Sequence, residues 1–300
     1  FGYSVAIMVW SAAAVLHAAA RSALQLSFWR GVLGIGETGN FPAAVKAVAE
    51  WFPRKDRSFA IGVFNSGSGI ASVVGPPLFV WLTVHFGWRA CFVVTGSIGF
   101  VLLVIWWIAY RPPERHPWVN KEELAYINSD RDESEESAPQ LGWSAVLKFR
   151  ETWGFAIAKF LTDPVWWFYL VWLPPYLYDV RHLNMTGLGW AMPVVYTAAS
   201  VGSVAGGWLS GIFIRRGWHH AKARKLTMAI CASLMPLGAL SVPVPNLFVV
   251  IGLVGIATAA HQGWSANLFT TTSDTFPRQA VASVTGFGSF LGGLGSVIFS

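Results

Sequence analysis

The sequence contains few charged residues and almost no cysteine. Lys, Arg, Asp and Glu together make up 12% of its 300 residues, which is about half the usual fraction for a soluble domain. The two cysteines, Cys91 and Cys231, both lie inside apolar segments and lack metal-ligand spacing. This pattern excludes a disulfide framework and a cysteine-based metal site. No stretch carries a complete enzyme signature, so we predict a protein that is not an enzyme and that holds neither a cofactor nor a metal.

Long apolar segments dominate the sequence instead. Hydrophobic residues make up 54% of the chain, and runs long enough to cross a bilayer as helices recur along it. We predict nine membrane spans, at about residues 2–20, 24–52, 59–86, 90–110, 153–178, 186–214, 226–242, 247–272 and 280–300. The predicted fold class is therefore an all-α polytopic membrane protein, with the lipid bilayer as its surroundings.

The loops between these spans differ in charge. Fifteen of the 21 Lys and Arg residues fall in loops on one predicted side of the membrane, and three fall in loops on the other. Such a bias predicts that the basic loops face the cytoplasm. It also accounts for the formal charge of +6 without nucleic acid, since the basic residues form short clusters and no recognition motif accompanies them.

One long polar stretch divides the chain. Residues 111–150 contain three prolines and eight acids before residue 137, and they predict a cytoplasmic linker with a short surface helix at about residues 121–128. The linker separates an N-terminal half, residues 1–110 with four spans, from a C-terminal half, residues 151–300 with five spans.

A short internal repeat supports this division into halves. Phe52-Pro53-Arg54 recurs as Phe276-Pro277-Arg278, an offset of 224 residues. The same offset pairs Glu37 with His261. Parallel repeats about an axis along the membrane normal are typical of transporters built from two six-span halves. We therefore predict that Glu37 and His261 are proton-coupling residues at equivalent depths in the two halves.

The second span holds charges where lipid is expected. Arg30, Glu37 and Lys46 lie within residues 28–53, although a charge at the bilayer centre costs about 2.5 to 3.5 kcal/mol on insertion scales. Arg30 and Glu37 are almost two helical turns apart, so they share one face of the helix. We predict that Glu37 exchanges protons and that Arg30 anchors an anionic substrate. The alternative is an internal salt bridge, and Lys46 is expected to snorkel to the cytoplasmic rim.

Two later spans carry polar groups. In the fifth span, Lys159 and Asp163 are one turn apart and can neutralise each other, and Pro164 predicts a kink beside a cavity. Tyr169 offers an aromatic face, either for a sugar ring or for the membrane interface. The eighth span crowds polar side chains into an apolar helix, where they would serve either a hydroxyl-bearing substrate or helix packing. These side chains are His261, Gln262, Trp264, Ser265 and Asn267.

Three segments together carry a family resemblance. They read RGVLGIGETGNFPAAVKAVAEWFPRKDRSFAIGVFNSG, KFLTDPVWWFYLVWLP and HQGWSANLFTTTSDTFP. With them, nearly the whole chain resembles the anion:cation symporter family of the major facilitator superfamily, in particular bacterial hexuronate transporters. The resemblance implies proton-coupled uptake of organic anions, with Arg30 on the substrate carboxylate and Glu37 as the coupling acid. We add Asn40 and Ser289 to the candidate substrate-binding residues.

The resemblance also sets expectations about gating and completeness. In the superfamily's loop motif an acid stands where this chain has Gly211, so we expect the gating charge pair of the second half to be absent or rebuilt. The candidate gating or structural residues are Arg54, Arg57, Lys159, Asp163, Pro164, Arg215 and Arg216. Because family members have twelve spans, we expect this chain to represent the third to the eleventh. The implied protein works as a monomer in the bacterial inner membrane.

Two alternative functions fit the same residues. The substrate could be another organic anion, such as an aldarate, galactonate or an aromatic carboxylate. The protein could also be a membrane receptor that binds such an acid and signals through the 111–150 linker.

Overall fold

The chain is built from α-helices in this computed structural model, which describes residues 2–129 and 143–299. In chain order they are α1 (Gly2–His17), α2 (Ala23–Glu37), α3 (Asn40–Trp51), α4 (Arg54–Phe86), α5 (Trp88–Ala109), α6 (Lys121–Ile127), α7 (Trp143–Val146), α8 (Arg150–Pro175), α9 (Met185–Arg215), α10 (His220–Leu234), α11 (Leu237–Leu240), α12 (Leu247–Thr275) and α13 (Arg278–Phe299). A π-helical turn, Tyr176–Val180, follows α8. No strand occurs within the described ranges, and the predicted all-α class is confirmed.

Several of these helices have the length and composition of membrane spans. Five are long and apolar enough to cross a bilayer, namely α4, α5, α12 and most of α9 and α13. The apolar helix α1 is shorter. Large apolar side chains such as Val80, Ile108 and Val297 are exposed on their outer faces. Such faces suit contact with lipid, because the helical backbone already satisfies its own hydrogen bonds.

The second predicted span is not one continuous helix, so this expectation was wrong. Its first part, α2, ends at Glu37, and its second part, α3, begins at Asn40. The cause is Pro42, which has no amide hydrogen and whose ring would clash with the carbonyl of Thr38 in an unbroken helix. The break therefore places the candidate proton-coupling acid at the end of a helix instead of its middle.

Two other predicted spans are also interrupted next to prolines, one after Pro175 and one at Pro236. Helix α8 runs through Pro164 without interruption, and it gives way to the π-helical turn only after Pro175. The span predicted at residues 226–242 is split between α10 and α11, with Pro236 directly before α11. A helix interrupted by proline loses backbone hydrogen bonds at that point.

Contacts between Cα atoms divide the chain into two compact units. Unit 1 comprises Phe1–Ala44 and Val74–Leu124, and unit 2 comprises Val45–Val73 and Ala125–Ser300. The short helix predicted near residues 121–128 is present as α6. Within the 111–150 linker, residues 130–142 lie outside the described residues. The division into halves at that linker stays a prediction.

In unit 1, α1 packs against α2 and α5. Two of the glycines beside Glu37 allow this approach. A Cβ added at Gly36 would lie 2.6 Å from the backbone nitrogen of Trp10, and one added at Gly39 would lie 2.7 Å from the Cβ of Ala6. Real Cβ atoms do not come so close, so both positions require glycine for the helices to keep this spacing.

In unit 2, the closest helix pairs are α9 with α12 and α8 with α13. Glycine again permits backbone contact, since Gly202 and Gly206 of α9 lie directly against Ala259 and Gly263 of α12. The first part of α4 also belongs to this unit, and a Cβ at Gly62 would meet the carbonyl of Ser203. Unit 2 therefore holds α4 by its N-terminal turns.

Candidate functional site

Arg30 and Glu37 lie on α2 in unit 1, and both side chains are exposed. They are seven residues apart on this helix, which is almost two helical turns. Neither makes a hydrogen bond or an ion pair with any residue that the structure describes. The contact expected for an internal salt bridge is therefore not formed, and a cation and a carboxyl with free hydrogen-bonding capacity share one stretch of apolar helix.

Other charged and polar residues of this span have hydrogen-bond or ion-pair partners. Asn40, the first residue of α3, accepts a hydrogen bond at Oδ1 from the Tyr3 hydroxyl at 3.0 Å. The Lys46 ammonium lies 3.9 Å from Glu50 Oε1 and is exposed. An exposed lysine that pairs with an acid one turn away fits the expected position at the cytoplasmic rim better than a position inside a cavity.

In unit 2, α8 presents the expected ion pair. Lys159 Nζ donates to Asp163 Oδ1 at 2.7 Å, and the Lys159 side chain is buried with its ammonium 4.2 Å from the centre of the Phe269 ring. A buried lysine keeps its charge only when a carboxylate and a polarisable neighbour replace water. Pro164, the next residue, is also buried. Their predicted role in gating stays a prediction.

His261 lies on α12 beside this pair. Its Nε2 donates to the carbonyl oxygen of Thr162 at 2.9 Å, because a carbonyl oxygen can only accept. Its Nδ1 is buried and has no partner in the described part of the chain. The ring of Trp166 stacks on the imidazole at 6.2 Å. A ring nitrogen without a partner among the described residues is chemically able to accept a proton.

The amides on α12 join helices together. Gln262 Oε1 accepts from Asn65 Nδ2 at 2.9 Å, and Asn65 also donates to Ser203 Oγ at 3.1 Å. Asn267 Nδ2 donates to the carbonyls of Gly206 and Gly263, both at 2.9 Å. These contacts match the helix-packing alternative for the polar cluster. Whether Gln262 and Asn267 also contact substrate stays a prediction.

The remaining candidates for substrate binding are dispersed in unit 2. Trp264 is partly buried on α12, and the Ser289 hydroxyl is buried without a partner among the described residues. Tyr169 lines a separate cavity of about 630 Å³. The other residues around that cavity are Phe168, Trp172, Leu173, Pro175, Tyr176, Asp179, Val180, Gly238, Ala239, Ser241, Val242 and Val254. The structure places Tyr169 away from the Lys159 and His261 cluster, among apolar side chains.

A buried arginine network in unit 2 was missed by the sequence analysis. Arg224 of α10 is 1% exposed. Its Nε donates to Asp274 Oδ2 at 3.0 Å, and its Nη1 donates to the hydroxyls of both Ser58 and Ser210. The backbone carbonyl of Arg54 accepts a further bond at 2.9 Å. This one side chain therefore ties α4, α9, α10 and α12 together.

Arg57 belongs to the same network. It is 3% exposed, lies 3.9 Å from Asp274 Oδ1 and donates to the backbone carbonyls of Ala49, Phe52 and Ser273. Arg215 makes a separate contact with Asp56 at 3.6 Å, and Arg216 is exposed. The structure thus shows a buried ion pair between Arg224 and Asp274, and the expectation that the gating charge pair of the second half is absent or rebuilt stays a prediction.

The internal repeat contained the signal that could have revealed Asp274. The offset of 224 residues pairs it with Glu50, so each half has an acid two residues before its Phe-Pro-Arg segment. For Arg224 the sequence offers no comparable signal, because it stands in a basic cluster next to Lys222 and Lys225.

Comparison with known proteins places this arrangement in a family. The profile described as Major Facilitator Superfamily matches residues 2–300. The hexuronate transporter of Escherichia coli strain K12 is 32% identical over the whole chain, which spans 70% of that protein. The galacturonate transporter of Dickeya chrysanthemi is 32% identical over 71% of this chain and 62% of that protein.

A solved structure shows the same fold. The crystal structure of the human organic anion transporter MFSD10 (TETRAN) matches with a TM-score of 0.73 over 99% of this chain and 68% of that chain, at 15% identity. The resemblance drawn from the three sequence segments is confirmed. The chain belongs to the Major Facilitator Superfamily and is an integral membrane protein of a family whose members are transporters and not enzymes.

Proposed function

We propose that this protein takes up a sugar-acid anion of the hexuronate class together with protons. One observation carries the proposal: Arg30 and Glu37 lie on the same apolar helix without a hydrogen-bond or ion-pair partner among the described residues, in a chain whose relatives include transporters of hexuronate and galacturonate. An exposed guanidinium without a partner among the described residues can bind an anion, and a carboxylate ligand matches its planar fork. A free carboxyl beside it supplies the group that exchanges protons.

The two side chains suggest an order of events. Glu37 takes up a proton from the periplasmic side, which removes the negative charge that would compete for Arg30. Arg30 then binds the substrate carboxylate, and the two halves of the transporter rock to expose the site to the cytoplasm. Loss of the Glu37 proton there returns its negative charge beside Arg30, which weakens substrate binding. Proton release and substrate release are thereby coupled.

The other candidate residues complete this proposal. His261 is a second proton-coupling group in the C-terminal half, and its Nδ1 has no partner among the described residues. Candidate contacts to the substrate hydroxyls come from Asn40, Tyr169, Gln262, Trp264, Asn267 and Ser289. We propose that the protein works as a monomer in the bacterial inner membrane, with the 111–150 linker in the cytoplasm.

A second candidate function is transport of a different organic anion. The D-galactonate transporter of Escherichia coli O6:H1 is 28% identical over 98% of this chain, and a probable galactarate/D-glucarate transporter of Escherichia coli K12 is 29% identical over 99%. Counterflow of labelled glucuronate into proteoliposomes, with unlabelled acids as competitors, distinguishes the candidates. We expect glucuronate and galacturonate to compete most strongly. Stronger competition by galactonate or glucarate would assign the second function, and absence of any counterflow would exclude both.

Replacing Arg30 by Lys tests the carboxylate contact. Lysine keeps the positive charge but loses the bidentate fork, so we expect substrate affinity to fall at least tenfold in competition binding. The matched control is Lys46→Arg, which exchanges the same two residue types at the exposed position that pairs with Glu50. Unchanged affinity in Arg30→Lys would remove Arg30 from the substrate site.

A further inference from the structure

The break between α2 and α3 is held by a side chain of α1. The Tyr3 hydroxyl donates to Asn40 Oδ1 at 3.0 Å, and Asn40 is only three residues beyond Glu37. All these residues lie in unit 1. A tyrosine on one helix therefore contacts the first residue after the break on another.

The Tyr3 ring is itself fixed in place. It meets the Trp106 ring edge to face at a centroid distance of 4.6 Å and the Trp10 ring at 5.9 Å. Trp106 in turn stacks on Tyr110 at 3.9 Å. Such pairs stabilise a defined ring orientation beyond simple burial. The phenol group thus reaches Asn40 from a rigid cluster contributed by α1 and α5.

The break needs support of this kind because its backbone is only partly constrained. The amide of Thr38 donates to the carbonyl of Gly34 and that of Gly39 to Gly36, after which regular helical bonding resumes with Ala43 donating to Gly39. Gly39 has no Cβ to restrict its torsions. Gly39 lies against Ala6 of α1, and the Tyr3 contact adds a side-chain hydrogen bond against small rotations at Thr38 and Gly39 that would change the direction of α3 relative to Glu37.

The Tyr3 contact also fixes the orientation of the Asn40 amide. A phenol hydroxyl that donates to Oδ1 leaves the two N–H groups of Nδ2 pointing away from Tyr3. Nδ2 makes no hydrogen bond to any residue in the described part of the chain. These donors suit an acidic or hydroxylated ligand, and they lie near the end of the helix that carries Arg30 and Glu37.

We propose that Tyr3 is a positioning residue, which holds the break through Asn40 and thereby sets the Asn40 amide and Glu37 relative to the substrate bound at Arg30. The inference rests on the proposed function of Arg30 and Glu37 as the binding and coupling groups. It adds a residue from α1 that does not itself contact substrate. The role requires the hydroxyl of Tyr3, whereas the ring alone accounts for the packing against Trp10 and Trp106.

Tyr3→Phe keeps the ring and removes the hydroxyl. We expect the KM for substrate in proteoliposome uptake to rise about fivefold, as for the loss of one hydrogen bond, while Vmax per inserted protein stays unchanged. A rise in KM without loss of Vmax distinguishes positioning from a general loss of folding. An unchanged KM, or a fall in Vmax and protein abundance alone, would overturn the proposal.

The matched control is Ser4→Ala. Ser4 is the next residue on α1, and its hydroxyl accepts a hydrogen bond from Trp107 Nε1 of α5 at 2.9 Å. This variant removes one hydrogen bond between α1 and α5 but does not touch α3, so the KM should stay at the wild-type value. A similar KM increase in both variants would assign the effect to helix packing and contradict the role of Tyr3.

A double-mutant cycle with Asn40→Ala tests the route of the effect. Asn40→Ala alone should raise the KM, and Tyr3→Phe should add nothing further in that background, because its partner is already gone. Independent, additive effects would show that Tyr3 does not act through Asn40. The cycle tests only the contact between Tyr3 and Asn40, and its effects are measured relative to uptake by the wild-type protein.

Hydrogen exchange separates this inference from the proposed function. In detergent without substrate, Tyr3→Phe should speed amide exchange in the peptide covering residues 37–43, while exchange in α5 stays unchanged. This readout needs no transport activity. If the wild-type protein moves no organic acid but the exchange still increases, the proposed function fails and the Tyr3 support of the break stands. If transport is normal and exchange does not change, the inference fails alone.

Discussion

Glu37→Gln is expected to abolish proton-driven accumulation of substrate while leaving substrate binding and exchange intact. Glutamine keeps the shape and most of the hydrogen-bonding ability of a protonated glutamate but cannot release a proton. In the proposed cycle this variant still binds substrate at Arg30 and still alternates between its two sides. It cannot use the proton gradient, so uptake should stop when the substrate concentrations on both sides are equal.

The expected effect is large. A gradient of one pH unit supplies about 1.4 kcal/mol for each coupled proton, which supports about a tenfold concentration of substrate. The wild-type protein should therefore concentrate labelled substrate in proteoliposomes with an imposed pH gradient, and Glu37→Gln should not. Counterflow without a gradient should proceed in both proteins.

Glu151→Gln provides the control for this experiment. Glu151 is an exposed acid in the first turn of α8, so its replacement removes the same charge at a position outside the proposed site. It should accumulate substrate like the wild-type protein. Undiminished uphill uptake by Glu37→Gln would show that another group couples transport to protons, and His261→Gln would then be the next variant to measure.

The sequence predicted the fold class because membrane spans depend on composition along long segments. Apolar runs and the scarcity of charge indicated a helical membrane protein, and the helices α4, α5, α9, α12 and α13 confirm it. The break after Glu37 was not predicted, although Pro42 was visible in the sequence. A proline in the first turn of a helix and one in its middle look alike in sequence, and neighbouring contacts decide between them.

In the candidate site, too, the sequence did not predict which single side chains contact each other. The sequence predicted a site at Arg30 and Glu37 from their cost in lipid; both are exposed, and their roles stay a prediction. It could not predict that Gln262 accepts a hydrogen bond from Asn65, because the two residues are 197 positions apart in the chain. Long-range hydrogen bonds between amides leave no periodic pattern that a single sequence can show.

Arg224→Met is expected to be the most destabilising single change in unit 2. The substitution leaves Asp274 buried without its closest cation, since Arg57 lies 3.9 Å away and has three backbone carbonyls as partners. Removing one member of a buried ion pair typically costs about 3 to 5 kcal/mol, because the other charge stays desolvated. The first turns of α4 should then separate from α9 and α12.

Hydrogen exchange in residues 54–66 measures this separation, with thermal unfolding as a second readout. Exchange should increase strongly in Arg224→Met. Arg215→Gln is the control, because Arg215 also pairs with an acid of α4 but is 46% exposed in its side chain. Exposed ion pairs contribute about 0 to 1 kcal/mol, so this variant should resemble the wild-type protein. Equal effects in the two variants would contradict the larger contribution to stability that we expect from the buried Arg224–Asp274 pair.

The double variant Arg224→Met, Asp274→Leu tests the physical reason directly. Replacing both charges by apolar groups of similar size removes the desolvated carboxylate that makes the single change costly. The hydroxyls of Ser58 and Ser210 still bond each other and the carbonyl of Gly207. We therefore expect the double variant to exchange more slowly in residues 54–66 than Arg224→Met alone. A double variant less stable than the single one would mean that Asp274 stabilises α12 through contacts other than the arginine.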